Sequence, residues 1–121
     1  MSRVTKATSL KVQVAESDSR FAFQGGRWVG PCIFCGGKLA LDPHSGDGAT
    51  LEHIRPRTDG GTNDLENLAL AHSRCNHEKG RRTDPKRRRQ ADPDRYERIV
   101  GQLLARRAEG LRSETPPTEV H

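Results

Sequence analysis

The residues in this chain that could do chemistry begin with three cysteines and a histidine. Cys32 and Cys35 form a C-x-x-C pair, and His72 and Cys75 form an H-x-x-C pair further along. Pairs at this spacing come from tight turns, and a tetrahedral zinc ion binds four such sulfur and nitrogen ligands. The alternatives are a buried thiol pair with one unrelated thiol, or a disulfide with one thiol left over. An odd cysteine count and no expected signal peptide argue against the disulfide. The spacing therefore predicts a structural zinc site.

Two other histidines, His77 and His44, are further candidates for the fourth zinc ligand. His72 has the better register, because it lies three residues before Cys75. The two ligand pairs are further apart than in a small zinc finger, so the ion would close a structural insert. The insert contains three polar residues that could serve a reaction: Glu52, His53 and Asn67.

The elements that must position these residues can be read from the insert itself. Residues 49–53 predict a strand that enters a loop before Pro56. The Asp-Gly-Gly sequence at 59–61 marks a tight reversal, and residues 68–71 can return as a second strand. A capping serine and a terminal glycine make 73–80 suitable for a short helix. The predicted order is β, β, α.

With these residues the chain resembles the HNH endonuclease family over about residues 27–82. The ββα-metal core of that family has an acidic residue before a histidine, a central asparagine, and an asparagine or histidine after the last zinc cysteine. Glu52-His53, Asn67 and Asn76 match those positions. Glu52 stands where aspartate is commoner, and His72 where many members have cysteine, yet neither change removes a required donor. The resemblance implies an α+β fold: a small zinc-stapled ββα-metal core with a short N-terminal helix and a C-terminal helix.

The resemblance also implies a mechanism for phosphodiester hydrolysis. His53 would be the general base, because an imidazole titrates near neutral pH. Glu52 and Asn76 offer hard oxygen donors for one Mg²⁺ or Mn²⁺. Glu52 and His53 would face opposite sides of a regular strand, and the family resolves this by distorting the hairpin. Asn67 would hydrogen-bond loop backbone and so orient His53, or else be an ordinary turn asparagine.

Several cations are candidate contacts for nucleic-acid phosphates. They are Arg55, Lys79 and the basic residues Arg81, Arg82, Arg87 and Arg88. Clusters of this type bind backbone phosphates without reading sequence, and the alternative is a solvated charge run.

Composition supports one small domain with tails. Only 31% of the 121 residues are apolar, so a bound ion is expected to staple a thin core. A net charge of +5 and a pI near 9.6 favour a polyanionic partner such as nucleic acid. No apolar run approaches the roughly 20 residues of a membrane span, so we expect no membrane partner and a cytoplasmic location.

The N-terminal flank carries weaker patterns. Residues 1–16 predict an arm, in which the alternation of Leu10, Val12 and Val14 is compatible equally with one edge strand and with a mobile segment. From Ser17, a capping residue and a later glycine pair predict a short helix. The next residues include three aromatics, which are expected to pack in the core behind the zinc knuckle (the turns that carry the four zinc ligands) or else to stack on bases: Phe21, Phe23 and Trp28. A short strand at 38–41 is expected to follow.

The C-terminal flank predicts a single helix after a basic linker. Asp92-Pro93 has the form of an N-cap with proline at the first helical position, and the helix should run to about Glu109. Its apolar stripe would dock on the core or pair with a second copy, and comprises Tyr96, Ile99, Val100, Leu103 and Leu104. The expected division is 1–16 arm, 17–82 nuclease domain, 83–112 linker and helix, and 113–121 disordered tail.

The function that these patterns predict is a metal-dependent HNH endonuclease that nicks or cuts DNA, with RNA as the alternative substrate. Two other interpretations stay open: a non-catalytic zinc-ribbon module that binds nucleic acid, and a nuclease subunit of a larger phage packaging or restriction machine. We expect a bacterial or phage-encoded protein that is a monomer or a weak homodimer.

Overall fold

The computed structural model describes residues 5–76 and 90–112, with only the backbone of Asn76 described. The elements are α1 (Lys6–Ser17), β1 (Ala22–Gln24), β2 (Arg27–Pro31), β3 (Lys38–Leu41), β4 (Thr50–His53), β5 (Leu68–Ala71), α2 (Ser73–Asn76) and α3 (Pro93–Gly110). Two short 3-10 turns, Arg57–Asp59 and Leu65–Asn67, lie between β4 and β5. The fold is therefore α+β, as predicted. Within the described ranges, no helix has the length and apolar character needed to cross a membrane.

The first element is a helix, and the predicted edge strand at residues 10–14 is wrong. Thr5 caps α1, since its side chain accepts a hydrogen bond from the Thr8 amide at 3.1 Å. Thr8, Val14 and Ala15 are buried, and their spacing places them on one face of a helix. The alternation at Leu10, Val12 and Val14 is thus incidental, because burial follows the helical period.

The helix predicted from Ser17 is also wrong, because a β-hairpin follows α1. β1 pairs antiparallel with β2 in a register that places Gln24 opposite Arg27. Gly25 and Gly26 make the two-residue turn, and their φ angles of 58° and 78° suit glycine in a tight hairpin. The glycine pair therefore marks a hairpin and not the end of a helix.

The hairpin extends to a three-stranded antiparallel sheet in the order β1-β2-β3, which confirms the strand predicted at 38–41. Phe21 is buried, and Trp28 packs against the core as a partly buried residue. Phe23 is 56% exposed, so its predicted place in the core is wrong. It lies across from Trp28 with ring centroids 5.3 Å apart in an edge-to-face arrangement.

A second, two-stranded sheet carries the central motif. β4 pairs antiparallel with β5, with Glu52 opposite Ala69 and His53 opposite Leu68. α2 begins at Ser73, directly after β5, which confirms the β, β, α order as far as Asn76. The rest of the helix predicted over 73–80 lies outside the described residues. α1 packs against both strands, and the buried apolar cluster comprises Val14, Ala15, Phe21, Cys32, Ile33, Leu39, Leu41, Ala49, Ile54, Leu68, Ala69, Leu70, Ala71, Tyr96 and Val100.

The C-terminal helix begins and ends close to where the sequence predicts. The Asp92 side chain accepts from the Arg95 amide at 3.1 Å, and Pro93 is the first helical residue. Tyr96 and Val100 are buried in the common core, so the apolar stripe docks on this chain. Ile99 is 42% exposed and lies at the edge of the stripe.

One buried arginine joins the two ends of the described chain. Arg107 on α3 is 1% exposed, and its guanidinium pairs with Asp18 at 3.2 Å. It also donates to the Leu68 carbonyl at 2.7 Å and to the Ser17 hydroxyl at 2.7 Å. Asp18 accepts further hydrogen bonds from Arg20. The end of α1, the start of β5 and α3 are thereby fixed to each other.

Candidate metal centre and active site

Two turns bring the predicted zinc ligands together. Cys32 and Cys35 lie in the turn between β2 and β3, where Gly36 has a φ of 75° that permits the chain to fold back. His72 follows β5 directly, and Cys75 lies on α2. The three sulfur atoms and one ring nitrogen lie within 4.8 Å of one another. The predicted Cys-Cys-His-Cys group is therefore assembled by the fold.

Two distances from His72 to cysteine sulfurs match the ligand separations of a tetrahedral zinc site. Nδ1 of His72 lies 3.4 Å from Sγ of Cys35 and 3.6 Å from Sγ of Cys75. Zinc bonds of about 2.3 Å to sulfur and about 2.0–2.1 Å to nitrogen would separate tetrahedral ligands by roughly 3.5 Å. The two distances from His72 therefore suit this ion, and all four donor atoms lie within 4.8 Å of one another.

Hydrogen bonds around the group already orient its ligands. Nε2 of His72 donates to the Lys38 carbonyl at 2.7 Å, so the lone pair lies on Nδ1, which faces the cysteines. The Gly37 amide donates to Sγ of Cys35 at 3.3 Å, and the His72 amide donates to Sγ of Cys32 at 3.4 Å. Such contacts to metal ligands are typical of zinc knuckles.

The acidities of the thiols show how unequal their surroundings are. Burial, followed by the neighbouring sulfurs of Cys35 and Cys32, raises the pKa of Cys75 to about 11. The amide of Gly37 is the main cause of a lowered pKa at Cys35. The neighbouring sulfurs thus oppose ionisation of Cys75, and a bound dication would remove this cost.

The turn that carries Cys32 and Cys35 is hydrogen-bonded to β5 and α3 through the backbone of Ile33. The Ile33 amide donates to the Leu70 carbonyl on β5 at 3.0 Å. Its own carbonyl accepts from Nη1 of Arg106 on α3 at 2.7 Å. The first ligand pair is thus held between β5 and α3.

Glu52 and His53 form the end of β4. Both side chains are half-buried, and Oε2 of Glu52 is shielded from solvent. Glu52 is paired with Ala69 and His53 with Leu68 in a continuous ladder, so adjacent side chains leave the strand on opposite sides. The hairpin distortion implied by the resemblance is not present in this part of the ladder, and any change of direction must begin beyond His53.

The ring of His53 is held by Asn63. Nε2 of His53 lies 2.8 Å from Oδ1 of Asn63 in the loop that leads to β5. An amide oxygen only accepts hydrogen bonds, so Nε2 must carry the proton. The lone pair of the neutral ring then lies on Nδ1, which is the nitrogen left to accept a proton from water.

Asn67 clamps the loop after β4. Its Oδ1 accepts from the Arg55 amide at 2.8 Å, and its Nδ2 donates to the carbonyls of Arg55 and Thr62 at 3.1 and 2.9 Å. The Asn67 backbone carbonyl also accepts from the Ile54 amide at 2.8 Å. These are contacts to loop backbone of the kind predicted for this asparagine, and Asn67 is 8% exposed.

Arg55, a predicted phosphate contact, is engaged with acidic side chains. Its two terminal nitrogens each lie 2.9 Å from a carboxylate oxygen of Glu97 on α3. Nη1 also lies 3.1 Å from Asp59, which accepts from the Tyr96 hydroxyl at 3.0 Å. A phosphate would have to compete with these carboxylates for the guanidinium.

The sequence pattern did not single out Asn63 or Glu97. Asn63 lies two residues after the Gly60-Gly61 turn. A polar residue soon after a reversal can lie near the end of the preceding strand, and this pattern could have indicated Asn63. Glu97 is 42 residues from Arg55, and nothing local links them. The other predicted nucleic-acid contacts, and the alternative ligand His77, lie outside the described residues: Lys79, Arg81, Arg82, Arg87 and Arg88.

Residues 32–82 match the family model described as HNH endonuclease. Over this segment the chain is similar to HNH endonucleases, and its β4-β5-α2 order, with a Cys-Cys-His-Cys group whose first pair precedes β4 and whose second pair follows β5, is consistent with an HNH core. Neither the curated proteins nor the solved structures gave a match to the chain.

Proposed function

We propose that this chain is a metal-dependent endonuclease that hydrolyses phosphodiester bonds of DNA. The observation that carries the proposal is the family match over residues 32–82, which encloses Glu52, His53, Asn67 and Asn76. The end of β4 supports it, because the ring of His53 is anchored there through one nitrogen to Asn63.

The proposed base is His53. With Nε2–H bound to Asn63, Nδ1 can take a proton from the attacking water. A positioned base of this kind contributes roughly 10²–10⁴-fold to the rate. Asn67 supports the base indirectly, because its side chain hydrogen-bonds the backbone of Arg55 and of Thr62 on the two sides of the loop that follows β4.

The proposed catalytic metal site uses the Glu52 carboxylate and the Asn76 amide oxygen. Hard oxygen donors suit one Mg²⁺ or Mn²⁺, which keeps most of its coordination for water and substrate. When bound, such an ion supplies charge neutralisation at the phosphate and stabilises the departing oxygen. Asn76 follows the zinc ligand Cys75, so the knuckle would also fix the position of this donor.

The proposed structural ion is zinc, held by Cys32, Cys35, His72 and Cys75. The ligand separations and the orientation of His72 support this choice. Zinc has no redox chemistry and favours four tetrahedral nitrogen and sulfur ligands, as this group offers. The proposed Glu52 site offers oxygen donors, which suit Mg²⁺ or Mn²⁺ instead.

The proposed partner is DNA, contacted through phosphates by the predicted cations. Among these, Arg55 would act only when its pair with Glu97 opens. We propose residues 17–82 as the nuclease domain, with 83–112 as the basic linker and C-terminal helix. A reducing, cytoplasmic location suits three free thiols that serve a metal.

The test is cleavage of supercoiled plasmid by the purified, zinc-loaded chain in metal-free buffer with added Mg²⁺, Mn²⁺ or EDTA. Zinc content is measured after each incubation, so that loss of the structural ion is separated from loss of the catalytic one. We expect nicked or linear product with Mg²⁺ or Mn²⁺ only. Plasmid binding without cleavage under every condition would instead indicate a zinc-ribbon binding module.

A further inference from the structure

We propose that Asn63 is a positioning residue for the reaction, which fixes the ring orientation and the tautomer of His53. This inference rests on the proposed function, since it assigns a role to a neighbour of the proposed base. The contact that carries it is the 2.8 Å approach of Asn63 Oδ1 to His53 Nε2.

The chemistry of this contact decides which nitrogen is available. A side-chain amide oxygen cannot donate, so the contact holds His53 as the Nε2–H form with its lone pair on Nδ1. It also stops rotation of the ring, which a strand-end side chain would otherwise sample. Both effects matter to a base that must receive a proton along one direction.

Two hydrogen bonds and one close backbone contact hold the loop that carries Asn63. Asn67 Nδ2 donates to the Thr62 carbonyl, one residue before Asn63, at 2.9 Å. The Gly61 amide donates to the Pro56 carbonyl at 2.9 Å. A Cβ atom at Gly61 would lie only 1.7 Å from the Arg55 carbonyl oxygen, so the loop packs too closely there for any side chain. Asn63 is therefore presented to His53 by a constrained backbone.

Asn63 itself is exposed, which separates its role from stability. Its side chain has one described contact, to His53, whereas the clamp that holds the loop is made by Asn67. Removing the Asn63 side chain should therefore leave the fold in place and release the ring alone.

The variants are Asn63→Ala, which removes the acceptor, and Asn63→Asp, which retains one. Glu66→Ala changes an exposed side chain near the same loop and serves as the matched control. We expect Asn63→Ala to lower kcat for plasmid cleavage by roughly 10–100-fold, as losses of residues that orient a functional histidine do. KM for DNA should stay unchanged, Asn63→Asp should recover most of the rate, and Glu66→Ala should match wild type.

A second readout does not depend on catalysis. In the full zinc-loaded chain with ¹⁵N-labelled histidine, the Hε2 proton of His53 should be protected from exchange with water and visible by NMR. The signal is assigned by its absence from His53→Ala. We expect it in wild type, Asn63→Asp and Glu66→Ala, and we expect it to be lost from Asn63→Ala.

The two readouts separate the possible failures. Cleavage by Asn63→Ala at the wild-type rate, or a persistent Hε2 signal in that variant, would overturn the role given to Asn63. An Asp variant as slow as the Ala variant would do the same. A wild-type chain that shows the Asn63-dependent signal yet never cleaves DNA would overturn the proposed nuclease function and leave the contact as a purely structural anchor.

Discussion

Asn67 and His53 divide the work at the end of β4. The Asn67 side chain makes hydrogen bonds to backbone groups of Arg55 and Thr62, in a loop where no strand ladder pairs those groups. His53 is the last residue of β4, and its Nε2 is hydrogen-bonded to Asn63 in the loop that Asn67 holds. The loop geometry thus depends on a side chain that touches no proposed substrate.

Replacement of Asn67 by alanine should cost both stability and activity. The variant loses three part-buried hydrogen bonds to backbone, each worth roughly 0.5–1.5 kcal/mol, so the free energy of unfolding should fall by about 2 kcal/mol. Urea denaturation followed by circular dichroism measures this loss, with Glu66→Ala as the neighbouring exposed control. Unchanged stability of Asn67→Ala would contradict the clamp.

At the scale of elements, α1 and α3 are held together by one buried ion pair. Burial alone would raise the pKa of Asp18, but hydrogen bonds from the Arg20 side chain and amide, with the charges of Arg20 and Arg107, keep it below its usual value. The folded state therefore prefers the carboxylate. Stability from this group is complete above the unfolded pKa and is lost as pH falls through the lower folded value.

We predict that acid weakens wild type more steeply than Asp18→Asn below about pH 4. At neutral pH the variant should be less stable by roughly 3–5 kcal/mol, because Arg107 stays buried without its charged partner. Chemical denaturation at a series of pH values measures both effects. The difference between the two proteins isolates Asp18 from acid release of zinc, and parallel pH curves would contradict the assignment.

Elements with strong local signals were predictable, and those decided by distant contacts were not. The Asp92-Pro93 cap predicted α3, and the apolar residues 68–71 after the Asp-Gly-Gly reversal predicted β5. α1 was misread because its apolar residues alternate, while the burial that decides the matter comes from β4 and β5. The hairpin at Gly25-Gly26 was misread because a glycine pair ends a helix as readily as it turns a strand.

The same division holds for the candidate site. Short spacings between cysteines and histidine revealed the knuckle, and family resemblance indicated Glu52, His53 and Asn67. The partners of those residues could not be predicted, because Asn63 and Glu97 are set by loop conformation and helix docking. Arg55 is an example: the sequence suggested a free cation for phosphate binding, whereas in the fold it pairs with Asp59 and Glu97.

For the molecule as a whole, the Cys-Cys-His-Cys group connects the two sheets of the described residues. It ties the β2–β3 turn of the three-stranded sheet to the end of β5 in the two-stranded one. The apolar core is small for a chain of 121 residues with 31% apolar content. A structural zinc ion supplies roughly 10–16 kcal/mol of apparent binding free energy, comparable to the whole stability of a small domain.

Cys75→Ser should therefore lose zinc and folded structure together. Metal content by elemental analysis and far-ultraviolet circular dichroism measure the two losses in the same sample. Chelation of wild type should produce the same unfolded spectrum, and returning zinc should reverse it. A Cys75→Ser protein that is zinc-free and fully folded would contradict the stapling role.

The most direct test of the central claim compares two histidine variants on supercoiled plasmid in Mg²⁺ or Mn²⁺. His53→Ala removes the proposed base, and His44→Ala removes an exposed histidine in the β3–β4 loop as the matched control. Both variants should retain zinc and the wild-type circular dichroism spectrum. The account predicts cleavage by wild type and His44→Ala and none by His53→Ala, whereas equal cleavage by His53→Ala would contradict it.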